Sequence, residues 1–142
     1  MLVGHQQKNY DRHIHVRGIY FKVMKEFKAI LDACKKVDFA ERRAALATVV
    51  KVRGSSYRSP GARMLITDDG RWVGSISGGC LEGDALRKAR QVMTDRIPLT
   101  VTYDTSEESN QNLSIGLGCN GCRQYFLAFR DFSNDLEIWL KL

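Results

Sequence analysis

The sequence has no histidine beyond position 15. His5, His13 and His15 all lie near the start, so the rest of the chain lacks the commonest general base. No Ser-His-Asp arrangement can be drawn, and a hydrolase of the usual kind is disfavoured. Also missing is any run of the roughly 18 apolar residues that a membrane-spanning helix needs. The start of the chain has no apolar stretch followed by a small-residue cleavage site, so no secretory leader is read there. The reducing cytoplasm is the expected location, and disulfides are not the expected use of cysteine. There is no internal repeat and no low-complexity segment.

What is present is ordinary globular composition: 142 residues, 44% hydrophobic and 27% charged. A single domain of that length buries roughly 68–70% of its unfolded surface. The net charge is +6. A basic balance usually raises nucleic acid as a partner. Here the charge is unevenly placed. Residues 1–25 hold Lys8, Arg12, Arg17, Lys22 and Lys25 against Asp11, a net +4 that leaves +2 for the remainder. The expected division is a basic extension over 1–23, read as a solvated and poorly ordered tail, and one domain over 24–142. A nucleic-acid module using that extension is the remotest of three functional readings.

The four cysteines are Cys34, Cys80, Cys119 and Cys122. Cys119-Asn120-Gly121-Cys122 is a C-x-x-C, but a structural zinc site needs a second ligand pair at matching spacing, and none is at hand. Cys34 falls on an apolar stripe with Phe27, Ile30, Leu31 and Val37. That stripe predicts a helix over 24–37 with Cys34 as a small buried hydrophobe.

The β-branched run 45–52 predicts a strand buried on both faces. Strands are expected at 62–67 and 71–77, joined by a tight turn at Asp69-Gly70. A helix is expected from 81 to 93, with Leu81, Ala85, Ala89, Val92 and Met93 on one face. Its Glu82 and Asp84 complement the helix dipole, and Asp84 with Lys88 forms an i,i+4 pair. Gly83 in its first turn suggests close backbone approach. Further strands are expected at 99–103 and 123–129, with a polar loop over 104–114 and a short last helix capped by Asn134. The fold class is α/β, a single mixed-sheet domain with flanking helices.

Three stretches carry candidate chemistry. In Ser77-Gly78-Gly79-Cys80-Leu81-Glu82 a strand ends, glycines turn the chain and a helix starts. Free N–H groups there attract phosphate, and the dipole favours a Cys80 thiolate, which is a soft metal ligand or a nucleophile. Glu82 and Asp84 would compete with a phosphate. The plainer alternative is a glycine turn with a small buried cysteine and a dipole carboxylate. In Gly54–Arg63, Arg58 and Arg63 flank Pro60-Gly61 with forks suited to phosphate or carboxylate, or they are ordinary surface arginines. Gly116-Leu117-Gly118-Cys119-Asn120-Gly121 matches G-x-G-x-x-G, but no strand precedes it and no helix follows, so the dinucleotide reading is rejected.

Four motifs in series carry a more specific signal. They are Gly54-Ser55-Ser56-Tyr57-Arg58-Ser59-Pro60-Gly61-Ala62-Arg63-Met64, Gly74-Ser75-Ile76-Ser77-Gly78-Gly79-Cys80-Leu81-Glu82, Tyr103-Asp104, and Ile115-Gly116-Leu117-Gly118-Cys119-Asn120-Gly121. In this order and spacing they resemble the XdhC/CoxI family, accessory proteins of xanthine dehydrogenase and related molybdenum hydroxylases. The resemblance runs roughly over residues 27–121. It implies a molybdenum cofactor chaperone, which holds the cofactor during sulfuration and delivers it to the apo-hydroxylase. It also implies a cysteine desulfurase or sulfurase as a partner, and a homodimer that covers an exposed face.

Carried over motif by motif, the implied cofactor-binding residues are Arg58, Gly61, Arg63, Gly78, Gly79, Cys80, Glu82, Gly118 and Cys119. Cys80 and Cys119 are the expected contacts to molybdenum. Full-length members of the family have a second, Rossmann-like C-terminal domain, which is not expected within these residues. The segment after Gly121 is more polar than the family pattern, and residues before Met24 have no counterpart in it. The second functional reading is a cysteine-dependent enzyme in which Cys80 transfers sulfur to the cofactor.

Overall fold

A computed structural model describes the backbone of residues 4–54, 56–104 and 122–131. Side chains are described from position 21 within those ranges, except at 122, 123, 125, 126 and 130. Gly118, Cys119, the polar loop and the helix expected after Asn134 lie outside the described residues.

The alternating apolar pattern folds into one sheet of order β3-β2-β1-β5-β4. Its strands are β1 (Ala44–Gly54), β2 (Arg63–Thr67), β3 (Trp72–Gly74), β4 (Leu99–Asp104) and β5 (Cys122–Asp131). The expected α/β arrangement is present, and every pairing in the sheet is antiparallel. Two helices flank it, α1 (Gly4–Lys35) and α2 (Glu82–Asp95).

β1 is central and is buried on both faces over its first half, as its continuous apolar run predicts. Successive side chains alternate between two cores. Ala45, Ala47 and Val49 join Ala85, Ala89 and Val92 of α2 in the larger core, with Met64, Ile66, Leu127 and Phe129. Ala44 and Leu46 meet Ile30 and Cys34 of α1 in the smaller one, with Leu65. Burial pushes the Cys34 thiol pKa up, as suits a core position.

α1 begins at Gly4, well before Met24, and it ends at Lys35, which leaves Val37 outside it. Phe21, Val23 and Met24 are exposed on α1, so the helix extends past its core-facing stripe. β2 and β3 are joined by the expected turn. Gly70 adopts φ +83°, and Asp69 accepts from Thr67 Oγ1 and Arg71 Nε.

β3 stops at Gly74, earlier than the expected end at 77. The Ser75 N–H still reaches the Arg63 carbonyl of β2 at 3.1 Å while also donating to Glu26, and the N–H groups of Ile76 and Ser77 turn to Glu82 rather than continuing the ladder. Gly74 sits at φ +92°, and a Cβ there would lie 2.3 Å from the Arg63 carbonyl oxygen, so the position accepts only glycine without rearrangement.

α2 carries a buried face of Ala85, Ala89, Val92 and Met93 as its spacing predicts. Arg96 closes it in the left-handed conformation and donates its N–H to the Val92 carbonyl at 2.8 Å. Asp84 pairs with Arg87 rather than with Lys88. Gly83 has no described atom within 4 Å of an added Cβ, so it permits no close approach there.

Candidate functional site

Between β3 and α2 the chain winds around one carboxylate. Glu82 Oε1 accepts from Ser75 Oγ at 2.8 Å and from the N–H groups of Ile76, Ser77 and Gly78 at 3.0–3.2 Å. Oε2 accepts from the Gly79 N–H at 2.8 Å and from Ser77 Oγ. Ser77 Oγ in turn accepts from the Leu81 N–H at 2.9 Å, next to the helix start. Burial alone would raise the Glu82 pKa. The Ser77 hydroxyl and N–H and the Ser75 hydroxyl outweigh it and hold the group at about 2.

This arrangement changes the reading of Gly78 and Gly79. Their φ values of +84° and +124° do turn the backbone N–H groups into an anion nest. The nest already holds the chain's own carboxylate, so the turn is not an open phosphate site. Gly78 is also pressed by the Tyr57 ring, whose Cδ1 lies 2.5 Å from an added Cβ. The Tyr57–Arg63 loop and the glycine turn therefore meet.

Arg58 and Arg63 come from that loop, which Gly61 closes back onto β1. Gly61 takes φ +91°, and its N–H donates to the Val49 carbonyl at 2.7 Å. The Arg58 side chain is only 13% exposed, and its Nη2 pairs with Glu26 Oε2 of α1. Glu26 Oε1 accepts from the Ser75 N–H at 3.2 Å. The Arg63 guanidinium lies over the Phe27 ring, 5.7 Å from its centroid. The Nε atoms of Arg58 and Arg63 are buried and have no hydrogen-bond partner among the described residues. Both arginines line a cleft of about 500 Å³ between α1 and the loop, with Lys22, Glu26, Phe27 and Tyr57.

Cys80 packs against the larger core. Its sulfur is in a disulfide, so thiolate chemistry at this position belongs to the reduced form. Among the described residues no cluster of three or more metal-ligating side chains is assembled. No described helix is long and apolar enough to cross a membrane.

Two residues of this region were not singled out as site residues by the sequence. Asp84 is buried and accepts from Tyr103 Oη and Arg87 Nη2. Burial, together with that bond, pushes the Tyr103 pKa well above the usual phenol range. Glu26 bridges α1 to both candidate motifs. The signal for Asp84 was available in Tyr103-Asp104, a motif whose tyrosine needs a buried acceptor. Glu26 had no local signal, because its partners are 32 and 49 residues away.

The fold, with this carboxylate-filled glycine turn and a basic cleft beside it, is that of a small α/β domain. Residues 40–104 match the XdhC and CoxI family model, and this stretch of the chain belongs to that family. The chain is 37% identical over 98 residues to a probable xanthine dehydrogenase subunit of Bacillus subtilis, covering 69% of this chain and 29% of the relative. It is 31% identical over 111 residues to the molybdenum cofactor insertion chaperone PaoD of Escherichia coli, covering 78% of this chain and 34% of the relative. A solved structure described as a xanthine dehydrogenase from Bacillus halodurans superposes with a TM-score of 0.65 at 38% identity, covering 79% of this chain and 32% of that one. The chain thus spans about a third of the length of the proteins it matches.

Proposed function

We propose that this chain is a molybdenum cofactor chaperone for a hydroxylase of the xanthine dehydrogenase type. In this reading it binds the cofactor in the cytoplasm, shields it while its terminal sulfur is installed by a sulfurase, and passes it to the apo-hydroxylase. The similarity to a molybdenum cofactor insertion chaperone supports the class. The observation that carries the reading is that Arg58 and Arg63, which line one cleft, each keep a buried Nε without a partner among the described residues.

The cargo has a phosphate at one end and a dithiolene-bound molybdenum at the other, and the residues present fit both. The arginines offer forked donors to the phosphate. Reduced Cys80 offers a soft thiolate. In this reading Cys119 is a second soft ligand, and Gly118 lets the backbone come close. Gly61, Gly78 and Gly79 shape the two loops, and Glu82 holds the glycine turn rigid instead of touching the cargo. A homodimer is part of the same reading, since the exposed apolar groups of α1 need a cover.

Cofactor retention tests this. Purified chain is mixed with molybdenum cofactor and separated from free cofactor by gel filtration. Retention at micromolar protein is expected, and passage of all cofactor in the free fraction contradicts it. Cys80→Ser separates a ligand role from sulfur transfer. Lost retention marks a ligand; intact retention with lost sulfuration marks a sulfur-transfer enzyme.

A further inference from the structure

We infer that the cleft between α1 and the Tyr57–Arg63 loop is a site for a dianionic phosphate monoester, and that Glu26 occupies its anion position until the ligand displaces it. This deepens the chaperone reading by assigning where its cargo's phosphate binds and what keeps that place. It also gives α1 a part in binding, although α1 lies outside the family-matched residues 40–104.

Three observations carry it. The cleft is lined by Lys22, Arg58 and Arg63 against the single acid Glu26, an excess of two positive charges. A phosphate monoester carries close to two negative charges at neutral pH, whereas a carboxylate carries one. Each arginine keeps a buried Nε–H without an acceptor among the described residues. A buried donor left unmade costs free energy, and its usual explanation is a missing partner. Finally, Glu26 places its two oxygens on Arg58 Nη2 and on the Ser75 N–H. Arg58 lines the cleft, so its Nη2 is the donor that an entering anion would take over from Glu26, while the Ser75 N–H keeps its second acceptor, the Arg63 carbonyl at 3.1 Å.

The tetrahedral phosphate has more acceptor oxygens than the carboxylate, so it can take Arg58 Nη2 and still reach an Nε–H. Arg58 would then exchange Glu26 for the ligand. The glycine turn beside the cleft stays closed, because Glu82 continues to fill it. Anion binding and the tether of α1 to the loop thereby exclude one another, and loading the cleft frees this part of α1.

Inorganic phosphate is the probe, titrated into the full chain at constant ionic strength with chloride as the control. In the wild-type protein the Nε–H resonances of both Arg58 and Arg63 are expected to shift, while the Gly78 and Gly79 amides stay in place. Glu26→Gln removes the competing charge and is expected to tighten phosphate binding roughly tenfold, the scale of one charge-assisted hydrogen bond. Arg63→Gln is expected to weaken it by a similar factor. Equal or weaker binding by a folded Glu26→Gln protein overturns the inference. If that variant does not fold, the wild-type titration decides: unmoved arginine signals, or shifts confined to Gly78 and Gly79, overturn it. A phosphate response without cofactor retention supports this site and contradicts the chaperone reading. Cofactor retention with no arginine response does the reverse.

Discussion

Glu82 organises the turn between sheet and helix, and its own charge is what the turn is wound upon. Its pKa of about 2 lies below the ordinary 4.5, so its contribution to stability is complete above about pH 4.5 and is lost as pH falls towards about 2. Glu82→Gln presents an amide NH₂ to donors that need an acceptor. It is expected to cost about 2 kcal/mol at neutral pH and to flatten the acid limb of the stability curve between those values. Urea unfolding at stepped pH checks both. Cys80 gives a second expectation at this scale. Its disulfide occupies the sulfur, so retention of cofactor through this residue should rise when the protein is reduced and should lose that dependence in Cys80→Ser. In the sequence Glu82 reads as a helix-dipole carboxylate and, by the family resemblance, as a cofactor-binding residue, not as the centre of a nest. Its nest depends on the φ angles of two glycines, and local composition permits those angles without specifying them.

At the scale of elements, the spacing of apolar residues located β1, β2 and α2 well, because each buries a continuous face. It failed where structure is set by something other than burial. β3 is shorter than its residue pattern suggests because Glu82 captures the N–H groups of Ile76 and Ser77. α1 is longer than its stripe because periodicity reports only a buried face, and Phe21, Val23 and Met24 are exposed. Two glycines should respond in opposite directions. Gly74→Ala meets the Arg63 carbonyl at 2.3 Å in a left-handed conformation and is expected to destabilise by about 2 kcal/mol or more. Gly83→Ala adds a methyl in open space on α2 and is expected to stabilise by up to about 1 kcal/mol. Thermal unfolding of the two variants beside wild type checks the contrast.

Across the whole molecule, the sheet brings together motifs that are far apart in the sequence. The antiparallel β2–β3 hairpin returns Ser75 to the Arg63 carbonyl, 3.1 Å away, and sets the glycine turn against Tyr57. The motifs themselves were legible as a series, and so was the family. Which of them forms an open site was not. The glycine turn looks like the anion site in sequence, yet it is filled from within, while the buried open donors belong to Arg58 and Arg63. The basic balance of the chain also takes a different meaning. Lys22 lies in the segment that holds most of the excess charge, and it lines the cleft. If the cleft is the anion site proposed above, part of that charge serves it, and salt is expected to weaken phosphate binding there modestly, because partly buried charges are screened less than exposed ones.

As a proposed chaperone, the chain would hold molybdenum cofactor and deliver it. The most direct measurement is activation of an apo-hydroxylase of the xanthine dehydrogenase type by cofactor-loaded chain, followed by its turnover of substrate. Activation is expected to exceed that from free cofactor at the same concentration and to fall when Arg58 and Arg63 are both replaced by Gln. Activation no better than free cofactor, with the chain retaining none, would contradict it.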